Sequence, residues 1–263
     1  MSAPGIVIEI GGGRPARVAQ CVLPDVAPLL RGKAAAQAAY VVRRLHAICA
    51  EAQGSACEQA VARAAGRDAS EARGSEARLR DGVRRLHAEA MRETGLRFCL
   101  DWPELVGEAP RLAEARTLNM ATRREPLDPA ALSAWAEQLV ASGLPARIIA
   151  AAPAPLASWF AARLADLQAR PDLMKRAELA ALSPSEPGEG RAEVSTARGP
   201  LVHAVRIADG VLADYRIETP TAARFAPGKD ADRLLAQCHD AGSVRWVMQA
   251  LDPCVGWQMK EAA

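Results

Sequence analysis

Two short segments near opposite ends of the sequence carry residues suited to metal binding. The first is Arg44–Cys49 (RLHAIC) and the second is Leu251–Cys254 (LDPC). Cysteine thiolates are soft ligands for transition metals, and imidazole also coordinates them. Cys49, Cys254 and His46 are therefore the candidate metal ligands, provided that the fold brings both segments to one place.

Each candidate also has a purely structural interpretation. His46 is alternatively an exposed helix residue, Asp252-Pro253 a helix stop, and Arg198 a surface charge on a hairpin. Trp102 and Trp257 are interpreted as packing residues. A free cysteine is often a small buried hydrophobic residue, and this interpretation applies to four of the six cysteines. These are Cys21, Cys57, Cys99 and Cys238.

Common catalytic and nucleotide-binding motifs are missing from the sequence. It contains no HExxH and no GxSxG. Gly11-Gly12-Gly13 is followed neither by GK[ST] nor by a GxGxxG frame, so it does not predict a phosphate-binding loop. Cys238-His239 could form half of a zinc site, but no partner pair exists.

Composition places the chain among globular proteins. Its 263 residues are 50% hydrophobic and 24% charged, with a net charge of +2. This balance does not favour a nucleic-acid or anionic-membrane surface. Aromatic residues make up only 4%, so we expect close helix packing over alanine, leucine and valine. The sequence shows neither a secretory signal nor an 18-residue apolar stretch, which predicts a cytoplasmic protein with reduced thiols and no membrane association.

Helical periodicity dominates the first two thirds of the sequence. We expect a single domain with a helical body over about residues 30–182. Asp128-Pro129 is a typical helix start, and Gly143 is a typical residue after a helix end. The other predicted helical stretches are 34–65, interrupted at Gly54 as one kinked helix or two, 75–100, and 155–168, ending before Pro171.

The periodicity changes after a predicted linker at residues 183–190 (SPSEPGEG). Leu201–Ile207 and Val211–Ile217 are rich in valine and isoleucine and flank Asp209-Gly210, which is a strong hairpin signal. Gly5–Ile10 also predicts a strand. The fold class predicted for the chain is therefore α+β, an alanine-rich helical bundle with a small antiparallel sheet. That sheet would unite the N-terminal strand with the hairpin of the 191–263 region, which ends in helices at 231–238 and 243–251.

These segments together resemble the large subunit of nickel–iron hydrogenases. That family carries an R-x-C-x-x-C motif early and a D-P-C-x-x-C-x-x-H motif late. Four thiolates from the two motifs hold nickel, and two of them also hold an iron that carries two cyanides and one carbonyl. Further landmarks occur in the family's order: Arg31-Gly32-Lys33 before Arg44, Arg198-Gly199-x-Leu201-x-His203, Gly210, Tyr215 and Pro220-Thr221. The resemblance implies a reduced version of the large-subunit fold.

The first motif departs from that family at a ligand position. Aligned on Arg44, the first family cysteine corresponds to His46, and the second, bridging cysteine corresponds to Cys49. The family's histidine four residues later corresponds to Gln53.

The second motif departs in the same way. Cys254 is retained, but Trp257 replaces the bridging cysteine and Lys260 replaces the histidine. Two of four thiolates therefore remain, which is a poor set for nickel.

These departures resemble the HupK/HoxV group of hydrogenase accessory proteins, as does the segment from Arg92 to Pro103 (RETGLRFCLDWP). The resemblance implies a non-catalytic scaffold in hydrogenase maturation. It would transiently hold the dicyano-carbonyl iron fragment, without nickel, before transfer to the large subunit. The implied partners are maturation chaperones of the HypC/HypD type and the hydrogenase large subunit itself.

The resemblance also implies a set of site residues. Cys49 and Cys254 would ligate the iron with sulfurs about 4 Å apart, His46 would be a possible third ligand, and Arg198 would donate to a cyanide. Replacing Arg198 by leucine is then expected to leave the fold nearly unchanged. The remaining pocket residues would be Arg44, Gln53, Asp252, Pro253 and Trp257. Two alternatives stay open: a metal-free protein that mimics the large subunit to bind chaperones, and a degenerate hydrogenase-like metalloenzyme.

Overall fold

Helices make up most of the structure, a computed structural model that describes residues 5–66, 73–179 and 186–262. None of the described helices is long and apolar enough to cross a membrane. The helices are α1 Ala27–Leu30, α2 Ala38–Leu45, α3 Ala50–Ala64, α4 Arg73–Leu96, α5 Leu112–Ala121, α6 Pro129–Ala141, α7 Leu144–Ala151, α8 Leu156–Arg176, α9 Pro220–Phe225, α10 Asp230–Leu235 and α11 Ala241–Leu251.

Six strands among the described residues form two sheets of three. In the first sheet, β2 pairs with β1 in antiparallel fashion and β6 pairs with β1 in parallel. The second sheet is antiparallel, in the order β3-β4-β5. The predicted α+β class is therefore confirmed. The strands are β1 Gly5–Gly11, β2 Arg14–Val22, β3 Glu189–Thr196, β4 Gly199–Ala208, β5 Val211–Glu218 and β6 Trp257–Glu261.

Several predicted element boundaries follow directly from local chemistry. Asp128 caps α6 by accepting hydrogen bonds from the N–H groups of Ala130 and Ala131. Asp209 and Gly210 have φ values of 50° and 77°, which a two-residue type I′ hairpin turn requires. The hairpin between β4 and β5 is therefore the one predicted.

The break in the predicted helix at 34–65 lies elsewhere than expected. The helix is interrupted at His46–Cys49, between α2 and α3, and Gly54 lies inside α3. A Cβ at Gly54 would lie 2.3 Å from Cζ of Arg43. The glycine therefore serves close packing of α3 against α2 instead of breaking the helix.

Helix α8 continues past Pro171, where the sequence predicts its end. A proline inside a helix costs about 3 kcal/mol because it removes a hydrogen bond and crowds the preceding turn. Tertiary contacts offset this cost. Leu167 and Met174 pack in the main core, and Arg170 is fully buried among hydrogen-bond partners on α4, β3 and its own helix.

The strand prediction was incomplete. The N-terminal strand does not join the hairpin, because its neighbours are β2 and β6. Strand β3 begins at Glu189, so the last two residues of the predicted 183–190 linker belong to a strand, and residues 183–185 lie outside the described residues. Strands β2 and β3 contain many polar residues and few valines or isoleucines, so their sequences do not resemble a typical strand. Neither strand was therefore predicted.

The core is built around interlocking aromatic rings on an alanine-rich background. Trp102 lies 4.5 Å from Phe98 and 4.9 Å from Phe160 between ring centroids, both in edge-to-face geometry. Trp102 is fully buried, as expected of a packing residue. This core fixes α4, α8 and α11 relative to one another, and these helices carry the charged residues described below.

Candidate metal site

A cavity of about 60 Å³ brings the two cysteine segments together. Residues just before and within α3, the turn between β3 and β4, the start of α9 and the segment after α11 surround it. The lining residues are Leu23, Pro24, His46, Cys49, Gln53, Thr196, Arg198, Leu201, Thr219, Pro220, Thr221 and Cys254.

Cys49 occupies the N-cap position of α3 but does not cap the helix. The carboxylate of Glu89 on α4 accepts hydrogen bonds from the N–H groups of Glu51 and Ala52, both at 2.9 Å. A carboxylate at a helix N-terminus satisfies free N–H groups and complements the helix dipole. The Cys49 side chain is thereby left available to the cavity.

A buried chain of hydrogen bonds leads to the Cys49 sulfur. Nδ1 of His203 lies 2.6 Å from the Tyr215 hydroxyl, and Nε2 lies 2.8 Å from Oε1 of Gln53. Because that amide oxygen only accepts, Nε2 carries the proton and Nδ1 accepts from tyrosine. The Gln53 amide nitrogen then donates to Cys49 Sγ at 3.8 Å. Cys57, which the sequence predicts to be a small buried hydrophobic residue, interacts with the Tyr215 hydroxyl at the far end.

Cys49 stays a neutral thiol at physiological pH. Burial raises its pKa to about 12, and the nearby carboxylates of Glu93 and Glu89 act in the same direction. The hydrogen bond from Gln53 opposes them. A metal bound at Cys49 must therefore displace a proton, which makes its net binding at neutral pH weaker than binding to a preformed thiolate.

Cys254 follows a helix end that is held by side chains. Asp252 ends α11 in the left-handed conformation, with φ of 47°. The hydroxyl of Thr221, at the start of α9, accepts from the Cys254 N–H and lies 3.2 Å from Cys254 Sγ as a donor. Each of the two candidate sulfurs thus faces one neutral hydrogen-bond donor.

Arg198 is a buried ion-pair residue, not the surface charge considered as an alternative. It is 5% exposed. Its guanidinium donates to Glu93 through Nη1 and to the backbone oxygen of Asp252 at 2.8 Å through Nε. Burial alone would lower the pKa of Arg198, but Asp252 and Glu93 raise it above its usual value, so the residue stays charged. Among the described residues, its Nη2 has no hydrogen-bond partner.

Asp252 is the centre of this buried network. Its carboxylate pairs with Arg97 at 3.0 Å, with Arg163 at 2.6 Å and with Arg198 at 3.4 Å. Three arginines on three different elements are thereby fixed around the residue that precedes Pro253-Cys254. The Asp-Pro-Cys segment is both a helix stop and an electrostatic anchor.

His46 lines the same cavity as the two cysteines. Its Nδ1 lies 3.1 Å from the backbone oxygen of Val42, so Nδ1 donates and Nε2 is unprotonated in the neutral ring. Burial lowers the pKa of His46 and favours that neutral form. The ring is chemically able to coordinate through Nε2.

The cavity collects five of the nine residues predicted for the site. These are His46, Cys49, Gln53, Arg198 and Cys254. Arg44 is exposed on α2, Asp252 and Pro253 lie behind the cavity wall, and Trp257 pairs with Ile6 in the first sheet. Within the described residues, no three His, Cys, Asp or Glu side chains are grouped so that they could hold a metal ion.

The sequence interpretation missed Glu89 and Glu93. Both lie on α4 one turn apart and are almost fully buried. The available signal was their i,i+4 spacing on a helix face that also carries the buried apolar residues Leu86 and Ala90. Acidic residues on such a face are buried only when paired.

Comparison with solved structures shows the same architecture elsewhere. The H2-reduced NAD+-reducing [NiFe]-hydrogenase matches with a TM-score of 0.66 and 14% identity over 91% of this chain and 92% of that chain. The fold is that of nickel–iron hydrogenases.

Selenium-containing hydrogenases match in the same way. The Ni-Fe-Se hydrogenase from Desulfovibrio vulgaris Hildenborough gives a TM-score of 0.60 and 11% identity over 93% of this chain and 94% of that chain. The Ni-Fe-Se hydrogenase from Desulfomicrobium baculatum gives 0.63 and 11%, over 94% and 95%. Comparisons with family models and with curated protein sequences found no match.

Proposed function

We propose that this protein is a non-catalytic scaffold of nickel–iron hydrogenase assembly, which transiently holds an iron carrying two cyanides and one carbonyl. The observation that carries the proposal is the shared cavity: two cysteines from opposite ends of the sequence line it, and each sulfur faces a hydrogen-bond donor. The hydrogenase fold supports it further.

The chemistry of the cargo suits a site with two thiols. An iron that arrives with three ligands of its own needs two or three more, which Cys49 and Cys254 supply. Both S–H protons leave to solvent as the iron–sulfur bonds form, and the iron keeps its oxidation state. Because the Cys49 pKa is about 12, loss of that proton opposes binding and favours later release.

The cavity wall suits the diatomic ligands. Apolar side chains of Leu23, Leu201 and Pro220 would contact a carbonyl, which accepts hydrogen bonds poorly. A cyanide nitrogen accepts hydrogen bonds well, and Nη2 of Arg198 is a charged donor at the same wall. His46 lines the same cavity, but it does not complete a three-ligand group with the two cysteines in this structure.

The proposed partners are those of an intermediate carrier. A maturation chaperone of the HypC/HypD type would deliver the iron fragment, and the hydrogenase large subunit would receive it. A carrier with the fold of the final acceptor can present the iron in a comparable protein environment, which lowers the difference in binding free energy between donor and acceptor.

Infrared spectroscopy of protein purified anaerobically from cells with the maturation machinery tests the proposal. We expect cyanide and carbonyl stretches in the wild-type protein and their loss in Cys49→Ser and Cys254→Ser. Cys238→Ser is the matched control, since Cys238 is buried beside Leu234 away from the cavity. Cys57 is a poor control because it belongs to the hydrogen-bond chain. Wild-type protein without these bands contradicts the proposal.

A metal-free interaction protein is the second candidate function, and one surface favours it. Tyr40 is 67% exposed, Ile48 50% and Leu45 42%, all within a nine-residue segment that overlaps the cavity residue His46 in sequence. Exposed apolar residues that cluster near a site often mark a protein interface. Chaperone binding that survives the Cys49→Ser and Cys254→Ser changes, in protein without iron, would select this function instead.

A further inference from the structure

A second, larger cavity lies on the other side of Arg198. Its volume is about 430 Å³, and it shares only Thr196 and Arg198 with the cysteine cavity. Helix α8 contributes Trp159, Arg163 and Asp166, the turn between β3 and β4 contributes residues 195–199, and α9 contributes Arg224. We propose that this cavity binds an oxyanion group, a phosphate or carboxylate carried by a small-molecule ligand, through Arg224 and Arg163.

Within the described part of the chain, all but one of the charged residues that line the cavity have an ion-pair partner, and the exception is Arg224. Arg163 pairs with Asp252, Arg198 pairs with Glu93, and Asp166 is bound by Arg170. Each of these charges is neutralised within the protein.

Arg224 has no carboxylate partner among the described residues. Its Nη1 donates to the backbone oxygen of Leu251 at 2.9 Å, and its guanidinium lies 4.9 Å from the centre of the Trp159 ring. A carbonyl and an aromatic face orient the guanidinium without cancelling its charge. Burial, reinforced by the charge of Arg163, lowers the pKa of Arg224 to about 10. An anion in the cavity would relieve this unfavourable electrostatic state.

Donors remain available for such an anion. Nε of Arg163, a residue of the cavity wall, is buried without a hydrogen-bond partner, and it would reach an anion only after a small rotation of its side chain, which is 8% exposed. An unpaired buried N–H is costly and rare in proteins. Gly199 lines the cavity with φ of 122°, and a Cβ there would lie 3.6 Å from Nη2 of Arg224. The glycine keeps that second donor uncovered.

The donors define the ligand class. A guanidinium presents parallel N–H groups that match the oxygens of phosphate or carboxylate. The volume exceeds that of a bare oxyanion, and Ala162 and the part of Trp159 not covered by Arg224 leave apolar wall for the rest of the ligand. Since the cysteines are not involved, the inference stands or falls independently of the iron-carrier function.

Chemical modification of arginine residues, followed residue by residue, tests the inference on the wild-type chain. Phenylglyoxal labelling of Arg224, mapped by mass spectrometry, would be compared in phosphate, acetate and chloride at equal ionic strength and pH. We expect phosphate, acetate or both to slow labelling at least threefold relative to chloride. Arg245, an exposed residue paired with Glu104, is the internal control and should label equally in all three.

Comparison of the three salts distinguishes a phosphate site from a carboxylate site. Protection by phosphate alone assigns a phosphate site, and protection by acetate alone assigns a carboxylate site. Equal labelling of Arg224 in all three salts overturns the proposal, as does parallel slowing of Arg245. In a second measurement, the anion that protects Arg224 should raise the thermal midpoint of the wild-type protein and of Arg245→Gln more than that of Arg224→Gln. Equal shifts in all three proteins would also overturn it.

Discussion

The side-chain nitrogen of Gln53 donates a hydrogen bond to the sulfur of Cys49 across 3.8 Å, and His203 holds the glutamine in that orientation from the other side. The glutamine stands where the resembling hydrogenases carry a histidine. The amide cannot titrate near neutral pH, so it supplies a donor to sulfur at every physiological pH.

Removing that donor should change the electronic properties of bound iron. In Gln53→Leu the Cys49 sulfur donates more charge to the metal, so we expect the carbonyl stretch to move to lower wavenumber. Infrared spectra of the loaded protein measure this shift. Gln59→Leu, on the same helix and also buried, is the matched control and should leave the band in place. An unchanged carbonyl band in Gln53→Leu would show that the glutamine does not contact the ligating sulfur.

Arg198→Leu should destabilise the protein strongly, contrary to the expectation from sequence. The change leaves Glu93 without a partner and removes one of three arginines from Asp252. Loss of one partner of a buried ion pair costs about 3–5 kcal/mol. We therefore expect the free energy of unfolding of Arg198→Leu, measured by urea unfolding, to fall by about this amount. Arg216→Leu, whose side chain is 73% exposed, should change stability by less than about 1 kcal/mol. Arg198→Lys retains the charge and is the variant suited to the infrared test.

Cys49 should react slowly with alkylating reagents. At pH 7.5 almost none of a thiol with a pKa of about 12 is thiolate, and only the thiolate attacks iodoacetamide. We expect labelling to rise about tenfold per pH unit in the folded protein. Glu89→Gln removes one of the charges that raise this pKa, so it should speed labelling at fixed pH. Fast labelling of wild-type Cys49 at neutral pH would contradict the electrostatic description of the site.

Glu89 should make stability depend on pH in an unusual direction. Burial raises its pKa from 4.5 to about 7. The folded state therefore holds a proton that the unfolded state has lost between these values. The contribution of Glu89 to the unfolding free energy falls as pH rises through this window, by up to about 1.4 kcal/mol per pH unit.

Urea unfolding at pH 5, 6 and 7 isolates this contribution by comparing variants. Glu89→Gln is uncharged throughout and should show a more positive slope of stability against pH than the wild type. Glu104→Gln, at an exposed ion pair whose glutamate side chain is 72% exposed, should keep the wild-type slope. Identical slopes in all three proteins would place the Glu89 pKa outside the window.

The parts of the fold that were predictable are those governed by neighbouring residues. Asp128-Pro129 and Asp209-Gly210 fixed a helix start and a hairpin through backbone chemistry alone. The continuation of α8 through Pro171 was not predictable, because its cause lies in contacts with distant segments. The same holds for β6, whose partner β1 lies at the other end of the chain.

The candidate site was predictable only as far as the motifs extend. Cys49, Cys254 and Arg198 could be singled out because they belong to the segments that resemble hydrogenases. Burial of Arg198 depends on Glu93 of α4 and on Asp252, and no local pattern connects these residues. Charge pairing across a core is a property of the folded chain, which periodicity does not reveal.

Parallel pairing of β6 with β1 also bears on how the cavity is completed during folding. Ile6 pairs with Trp257, and only Val255 and Gly256 separate β6 from Cys254. Contacts of such large sequence separation close the longest loops and form late, whereas the helical contacts around Cys49 are local and form early. A chain emerging from the ribosome would therefore carry half of the cavity for most of its synthesis. Pairing of β6 with β1 then fixes the chain just beyond Cys254, so the part of the wall that carries the second sulfur is set late in folding.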